Sequence, residues 1–138
     1  MKIVVDTNVL MTFFWKRSVF ERIVKHFEIY CYSPEYALEE INKYKEHIIK
    51  KAKITKKEFD EKKLELAIYV TFISLEEYQE NLKKALKISP DSNDIDFFSL
   101  ALTLKSPIWT NDKELKKQYK IPIFSTEELL ENPKYLGF

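Results

Sequence analysis

Hydrophobic and polar positions along this chain come in blocks. Ile3-Val4-Val5 is a β-branched run with no polar interruption, the pattern of a strand buried on both faces. It ends at Asp6-Thr7-Asn8, and an apolar stretch from Val9 to Trp15 follows. Val19, Ile23 and Phe27, with Phe20 and Val24 beside them, recur at helical spacing. Glu28 to Tyr32 reads as a second strand. Ser33-Pro34 has the form of a helix start, a capping serine followed by a proline at the first helical position. Ala37, Ile41, Tyr44 and Ile48 lie on one stripe of the helix it opens. Lys50 to Lys63 is strongly charged, yet Phe59, Leu64, Ala67 and Ile68 predict a further helix. Val70 to Leu75 fits either the end of that helix or a short strand. Glu76 to Leu86 reads as helix, and Ser89-Pro90-Asp91-Ser92-Asn93 is the clearest turn cluster. Phe98, Ala101, Leu102 and Lys105 then mark a helix and Pro107 to Thr110 a strand. A short lysine-rich helix over Lys113 to Tyr119 leads to a last strand, Pro122-Ile123-Phe124, and Ser125 caps a final helix.

Short apolar strands alternating with helices predict an α/β fold: a parallel sheet of four to five strands with helices on both faces. Sites in such sheets form at the carboxyl ends of the strands. Asp6 follows the first strand there, Asp112 follows the Ile108 strand, and Asp94 opens a helix that reaches the same edge. No repeat, linker or low-complexity segment interrupts the chain. Its 138 residues, 45% of them hydrophobic, suit a single domain over 1–138.

Composition narrows the chemistry. The single glycine, Gly137, excludes a dinucleotide fingerprint, a P-loop and a glycine-rich kinase loop, so no nucleotide cofactor is expected. One cysteine, Cys31, excludes a disulfide framework and a cysteine-based zinc site. The longest nearly apolar stretch, Leu66 to Leu75, is short of the roughly 20 residues a membrane helix needs. A lysine at position 2 comes before any signal-peptide core. These features predict a cytoplasmic protein without a membrane partner. Of the 23 basic residues 21 are Lys, and of the 22 acids 16 are Glu, a composition expected of a thermophile.

Glu is the better helix former, so the six Asp are the more informative acids. Asp60 lies in a Lys/Glu run, while Asp6, Asp91, Asp94, Asp96 and Asp112 sit at element ends. The net charge of +1 is unevenly spread: Lys43 to Lys63 holds nine Lys against Glu46, Glu58, Asp60 and Glu61, a local +5. Lys50, Lys51, Lys53, Lys56 and Lys57 within it are candidates for holding a nucleic-acid backbone, a salt-dependent and sequence-blind contact. A solvated helical hairpin accounts for the same run equally well.

Four segments stand out together: Val4-Val5-Asp6-Thr7-Asn8-Val9-Leu10, Pro34-Glu35-Tyr36-Ala37-Leu38-Glu39-Glu40-Ile41, Asn93-Asp94-Ile95-Asp96-Phe97-Phe98-Ser99-Leu100-Ala101 and Trp109-Thr110-Asn111-Asp112. In order, spacing and placement they resemble the PIN-domain family of metal-dependent ribonucleases, which includes the VapC-like toxins. The resemblance covers nearly the whole chain and, with the composition, suggests an archaeal or thermophilic member. It implies a three-layer α/β sandwich that uses Mg²⁺ or Mn²⁺ to cut single-stranded or structured RNA, often as a homodimer. For a toxin it also implies an antitoxin protein as partner.

Carried over residue by residue, Asp6, Glu40, Asp94 and Asp112 match the family's catalytic carboxylates, with Glu39 the adjacent competitor for the second position. Asp6, Asp94, Asp96 and Asp112 are then the expected metal ligands, and Asn8 and Thr110 resemble the polar residues that orient the acids. The residue types suit this chemistry independently. Hard divalent cations take carboxylate and water oxygens, and several acids held together repel one another unless a cation neutralises them.

Plainer roles stand beside each assignment. Asp6 suits a helix cap, Asp94 and Asp96 suit a first helical turn, and Glu39 and Glu40 suit a solvated face. The stripe of Ala37, Ile41 and Tyr44 nevertheless puts Glu40 beside the buried face and Glu39 farther from it. His26 and His47 read as surface histidines. Trp15, Trp109, Phe97, Phe98, Tyr44 and Phe59 read as core. A phosphotransferase of the haloacid-dehalogenase type needs Asp where Asn8 stands, and a receiver domain needs a Lys after a late strand, where Thr110-Asn111-Asp112 stands. The remaining alternative is a PIN-like module that binds RNA or protein without cutting.

Overall fold

The computed structural model describes residues 1–132 and Lys134; Gly137 lies outside them. Its strands are β1 (Lys2–Val5), β2 (Tyr30–Pro34), β3 (Val70–Ile73), β4 (Ile108–Trp109) and β5 (Ile123–Phe124). The helices are α1 (Thr7–Met11), α2 (Val19–His26), α3 (Glu35–Lys43), α4 (Lys45–Ala52), α5 (Lys56–Tyr69), α6 (Leu75–Tyr78), α7 (Leu82–Ile88), α8 (Ile95–Leu104) and α9 (Thr126–Glu131), with short 3₁₀ turns between several of them.

All strand pairs are parallel, and the sheet order is β3-β2-β1-β4-β5. Strand side chains alternate between faces, yet Ile3, Val4 and Val5 are all 0% exposed. Helices therefore cover both faces, as the uninterrupted apolar run of β1 predicts. The chain moves from β1 outward to β2 and β3, then returns to the other side of β1 for β4 and β5. This reversal puts the switch point at β1, where a parallel sheet opens a crevice at its carboxyl edge.

Helix α8 packs against β1, β2 and β4 on one side and α6 and α7 on the other. Five consecutive residues, Phe97 to Ala101, are buried in consequence, as befits a helix surrounded by protein. Trp109, fully buried on β4, fixes its indole by donating Nε1–H to Thr126 Oγ1 at 2.9 Å. Among the described residues no helix is long and apolar enough to cross a membrane.

Three local expectations need correction, and one open alternative is decided. The second strand runs later than Glu28 to Tyr32, through Pro34, so Ser33 is a strand residue rather than a cap. Its hydroxyl donates instead to the Val5 carbonyl at 2.9 Å, stitching the carboxyl ends of β2 and β1 together. The helix expected through Ile48 breaks at Tyr44, which leaves helical geometry at φ −99°, ψ 16° and is 44% exposed. Val70 to Ile73 resolves as the edge strand β3. On α5 the buried residues are Phe59 and Leu66, while Leu64 and Ile68 face solvent at 75% and 76% exposure.

Candidate active site

The backbone of Asp6 is fixed where β1 becomes α1. Its N–H donates to the Trp109 carbonyl on β4, and its own carbonyl accepts from Val9 and Leu10 in the first turn of α1. Asp6 occupies the N-cap position, but its side chain makes no capping bond. The carboxylate turns across the sheet edge, where Oδ2 accepts from the Thr110 hydroxyl at 2.8 Å. Thr110 follows β4 directly and is itself buried. Burial pushes the Asp6 carboxyl above its usual range, against the Thr110 bond and the Thr7 amide, and the charges of Glu40 and Asp112 add to the rise.

Glu40 lies in the second turn of α3, the helix that leaves β2. It is half-buried, and Oε1 accepts from the Thr7 hydroxyl at 2.6 Å. Desolvation again raises the carboxyl, opposed by Thr7 and by Lys43, while Asp96 raises it further. Glu39 is exposed, with no hydrogen bond among the described residues.

Asp94 and Asp96 open α8. Asp94 stands at the N-cap without a side-chain cap bond. Its carboxyl is pushed up to about 7, first by burial and then by the charges of Asp6, Asp91, Asp112 and Glu40. Asp96 lies in the first turn and accepts the Tyr78 hydroxyl on Oδ2 at 2.5 Å. Tyr78 is in turn positioned through its carbonyl, which accepts from the buried Ser99 hydroxyl. Asp112 lies past Thr110 and caps a 3₁₀ turn, accepting from the Glu114 N–H, while its own N–H donates to Thr110 Oγ1. Asp91 is a turn residue that accepts from the Asn93 N–H.

At the sheet edge the charges of Glu40 and Asp112 thus act on both Asp6 and Asp94, and that of Asp96 acts on Glu40. None of the five takes part in the ion pairs that Lys25, Lys45, Lys62, Lys116 and Lys117 make. As arranged, no three His, Cys, Asp or Glu side chains among the described residues converge into a ready-made ion site. Asp112 and Asp96 are directed toward the Glu114 amide and the Tyr78 hydroxyl. The donor set itself consists of hard carboxylate oxygens of the kind Mg²⁺ and Mn²⁺ take.

Two residues of this edge carry no sequence signal strong enough to select them. Thr7 bonds Glu40, whereas Asn8, the expected orienting residue, is exposed and makes no hydrogen bond to an acid among the described residues. Tyr78 reaches Asp96 from 18 residues upstream. Neither pairing shows in local spacing.

A groove of about 470 Å³ runs from this edge between α1 and the α3–α4 junction, with Thr7 and Glu40 at one end and Trp15, Tyr44, His47 and Lys51 along it. Of the lysines singled out in the sequence, Lys51 lines it, whereas Lys50, Lys53, Lys56 and Lys57 are exposed elsewhere on the α4–α5 hairpin. Part of the basic run serves the fold: Lys62 joins Glu21 and Glu65, Lys45 meets Asp60, and Lys63 donates to Asn42. Trp109, Phe97, Phe98 and Phe59 are core as expected, while Trp15 is half-exposed in the groove. His26 and His47 are exposed.

Comparison with known proteins gives two findings. A family model described as "PIN domain" matches residues 4–131. The fold is similar to a chain in the crystal structure of VapBC2 from Rickettsia felis bound to a DNA fragment from their promoter. The match has a TM-score of 0.60 at 16% identity and covers 91% of this chain and 98% of that one. No curated protein sequence matches.

Proposed function

The chain belongs to the PIN domain family, and on that premise we propose that it is a divalent-metal-dependent endoribonuclease, hydrolysing RNA phosphodiester bonds at the acidic edge of its sheet. The observation that carries this reading is that Asp6, Glu40, Asp94 and Asp112 lie within electrostatic reach at that edge, and that no ion pair found among the described residues involves them. Asp6 is buried and Glu40 and Asp94 are half-buried, and like charges gathered out of water in this way are costly unless a cation neutralises them.

Asp6, Asp94, Asp96 and Asp112 would hold Mg²⁺ or Mn²⁺, Asp112 by leaving its bond to the Glu114 amide. The bound ion supplies a Lewis acid for a phosphoryl oxygen and lowers the pKa of an attacking water. Thr110 and Thr7 set the directions of the Asp6 and Glu40 carboxylates, the role outer hydrogen bonds play around metal ligands. Glu40, half-buried beside the cluster, is placed to accept a proton at Oε2 from water drawn into the site. Asn8 and Glu39, both exposed, would support the site from its rim.

We extend the reading to a VapC-like toxin acting in the cytoplasm, a homodimer neutralised by an antitoxin protein. The likeness of fold to VapBC2 supports the toxin relationship and the antitoxin partner. An RNA-processing nuclease would use the same residues.

The decisive assay compares wild type with Asp6→Asn and Asp94→Asn on RNA, with Mn²⁺ or Mg²⁺ and with chelator. Cleavage that needs the ion and falls at least about 100-fold in both variants is the expected result. Undiminished cleavage by both variants would refute the carboxylate site. Ion binding to the acids without cleavage of any RNA would favour the non-cutting binding module. Growth arrest on expression, relieved by Asp6→Asn, would favour the toxin over the processing enzyme.

A further inference from the structure

The groove beside the acids has chemistry that metal binding does not use. Trp15 and Tyr44 line it, and each ring has a lysine ammonium over it: Lys51 at 5.2 Å from the Trp15 centroid and Lys43 at 5.5 Å from the Tyr44 centroid. Other lysine–ring pairs in this molecule cover rings that belong to the core, such as Lys45 on Phe59 and Lys62 on Phe13. Tyr44 is 44% exposed, and Trp15, although packed against the core, is half-buried where it lines the groove.

The break between α3 and α4 accounts for Tyr44. An uninterrupted helix would have carried it on the buried stripe with Ala37, Ile41 and Ile48, all of which are 0% exposed. The non-helical turn at Tyr44 delivers the ring to the groove instead.

We infer that this groove is a subsite for single-stranded RNA, in which Trp15 and Tyr44 stack unpaired bases while Lys43 and Lys51 meet the adjoining phosphates. The inference rests on the nuclease reading and deepens it by naming how substrate is held. Three features select this occupant. Aromatic faces paired with mobile cations match a strand that offers flat bases and regularly spaced negative charge. A volume of about 470 Å³ suits small groups such as unpaired nucleotides, whereas a duplex hides its base faces within its own stack. The groove also shares Thr7 and Glu40 with the acidic edge, so a strand lying in it runs toward the carboxylates. Stacking is tolerant of sequence, so the subsite would favour unpaired over paired RNA more strongly than it favours any one base.

Trp15 reports on its own occupancy. The other tryptophan, Trp109, is 0% exposed, so a stacked base quenches Trp15 emission over a constant background. The test uses the full chain carrying Asp94→Asn, with chelator, titrated with a mixed-sequence RNA of about ten nucleotides, within the usual range for single-strand sites. Saturable quenching is expected, absent from Trp15→Phe. In the same background, Tyr44→Ala and Lys51→Gln should each weaken binding roughly tenfold, and a duplex of equal length should bind at least about tenfold more weakly. Lys51 is exposed, so its substitution leaves the core intact. Fluorescence anisotropy on labelled RNA gives an independent affinity. RNA binding without quenching, or binding unchanged in all three variants, would overturn the subsite. Cleavage by wild type without quenching would remove the subsite and leave the nuclease reading standing. Quenching without cleavage in Mn²⁺ would do the reverse.

Discussion

The Thr7 hydroxyl donates to Glu40 Oε1 at 2.6 Å, joining the first turn of α1 to the second turn of α3. Glu39, next to Glu40, is exposed and has no such tie. Glu40→Gln should therefore lower RNA cleavage at least about 100-fold, the scale of a lost proton-transfer group. Glu39→Gln should stay within about twofold. Steady-state rates for the two variants test this, and a larger loss for Glu39→Gln would reverse the assignment.

Thr110→Val removes the side-chain hydroxyl that donates to Asp6 while nearly preserving its shape. The buried carboxylate then loses a donor, costing about 1–3 kcal/mol of stability at pH 7. Ion affinity should fall about 10- to 100-fold, as for outer-shell partners of metal ligands generally. Urea unfolding and Mn²⁺ calorimetry measure the two effects. Thr110→Ser, which keeps the hydroxyl, should recover most of the ion affinity.

The Asp94 carboxyl sits at about 7 in the folded chain against an ordinary 3.8. Between these values the folded state binds more protons than the unfolded one, so this group makes stability fall as pH rises from about 4 to about 7. Above that window the penalty stays constant, and below it the penalty vanishes. Asp94→Asn should lack this slope and be more stable than wild type above pH 7 without metal. Unfolding midpoints at several pH values between 4 and 8 decide it, and parallel curves would contradict the assignment.

Tyr78→Phe deletes the hydroxyl that Asp96 accepts, and should cost about 0.5–1.5 kcal/mol. In a double-mutant cycle with Asp96→Asn, the two changes should be non-additive, because each removes the same bond. Additive effects in chemical denaturation would place the Asp96 carboxylate elsewhere in solution.

Most of the sheet and its acidic edge is legible from local chemistry. Ile3-Val4-Val5 has one reading, and so does the position of Asp6 after it, because a run without alternation fits only a strand covered on both faces. Ser33 shows where such reasoning fails. A serine before a proline signals a cap, but the same hydroxyl can serve a neighbouring strand, and only the pairing of β2 with β1 decides. The break at Tyr44 is hidden because the apolar stripe resumes at Ile48 on its far side. Partners such as Thr7 for Glu40, 33 residues apart, arise from the packing of helices around the switch point and leave no periodic trace.

The position of β1 at the middle of the sheet has a consequence for biosynthesis. Its carboxyl end needs β4 beside it, and the Asp6–Thr110 bond spans 104 residues. At ordinary translation rates of about 5–20 residues per second, roughly 5–20 s separate the synthesis of these two residues. A nascent chain therefore emerges with its first carboxylate made and its last ones absent. The acidic edge can assemble only after the chain has been made through Asp112, long after Asp6 has left the site of synthesis.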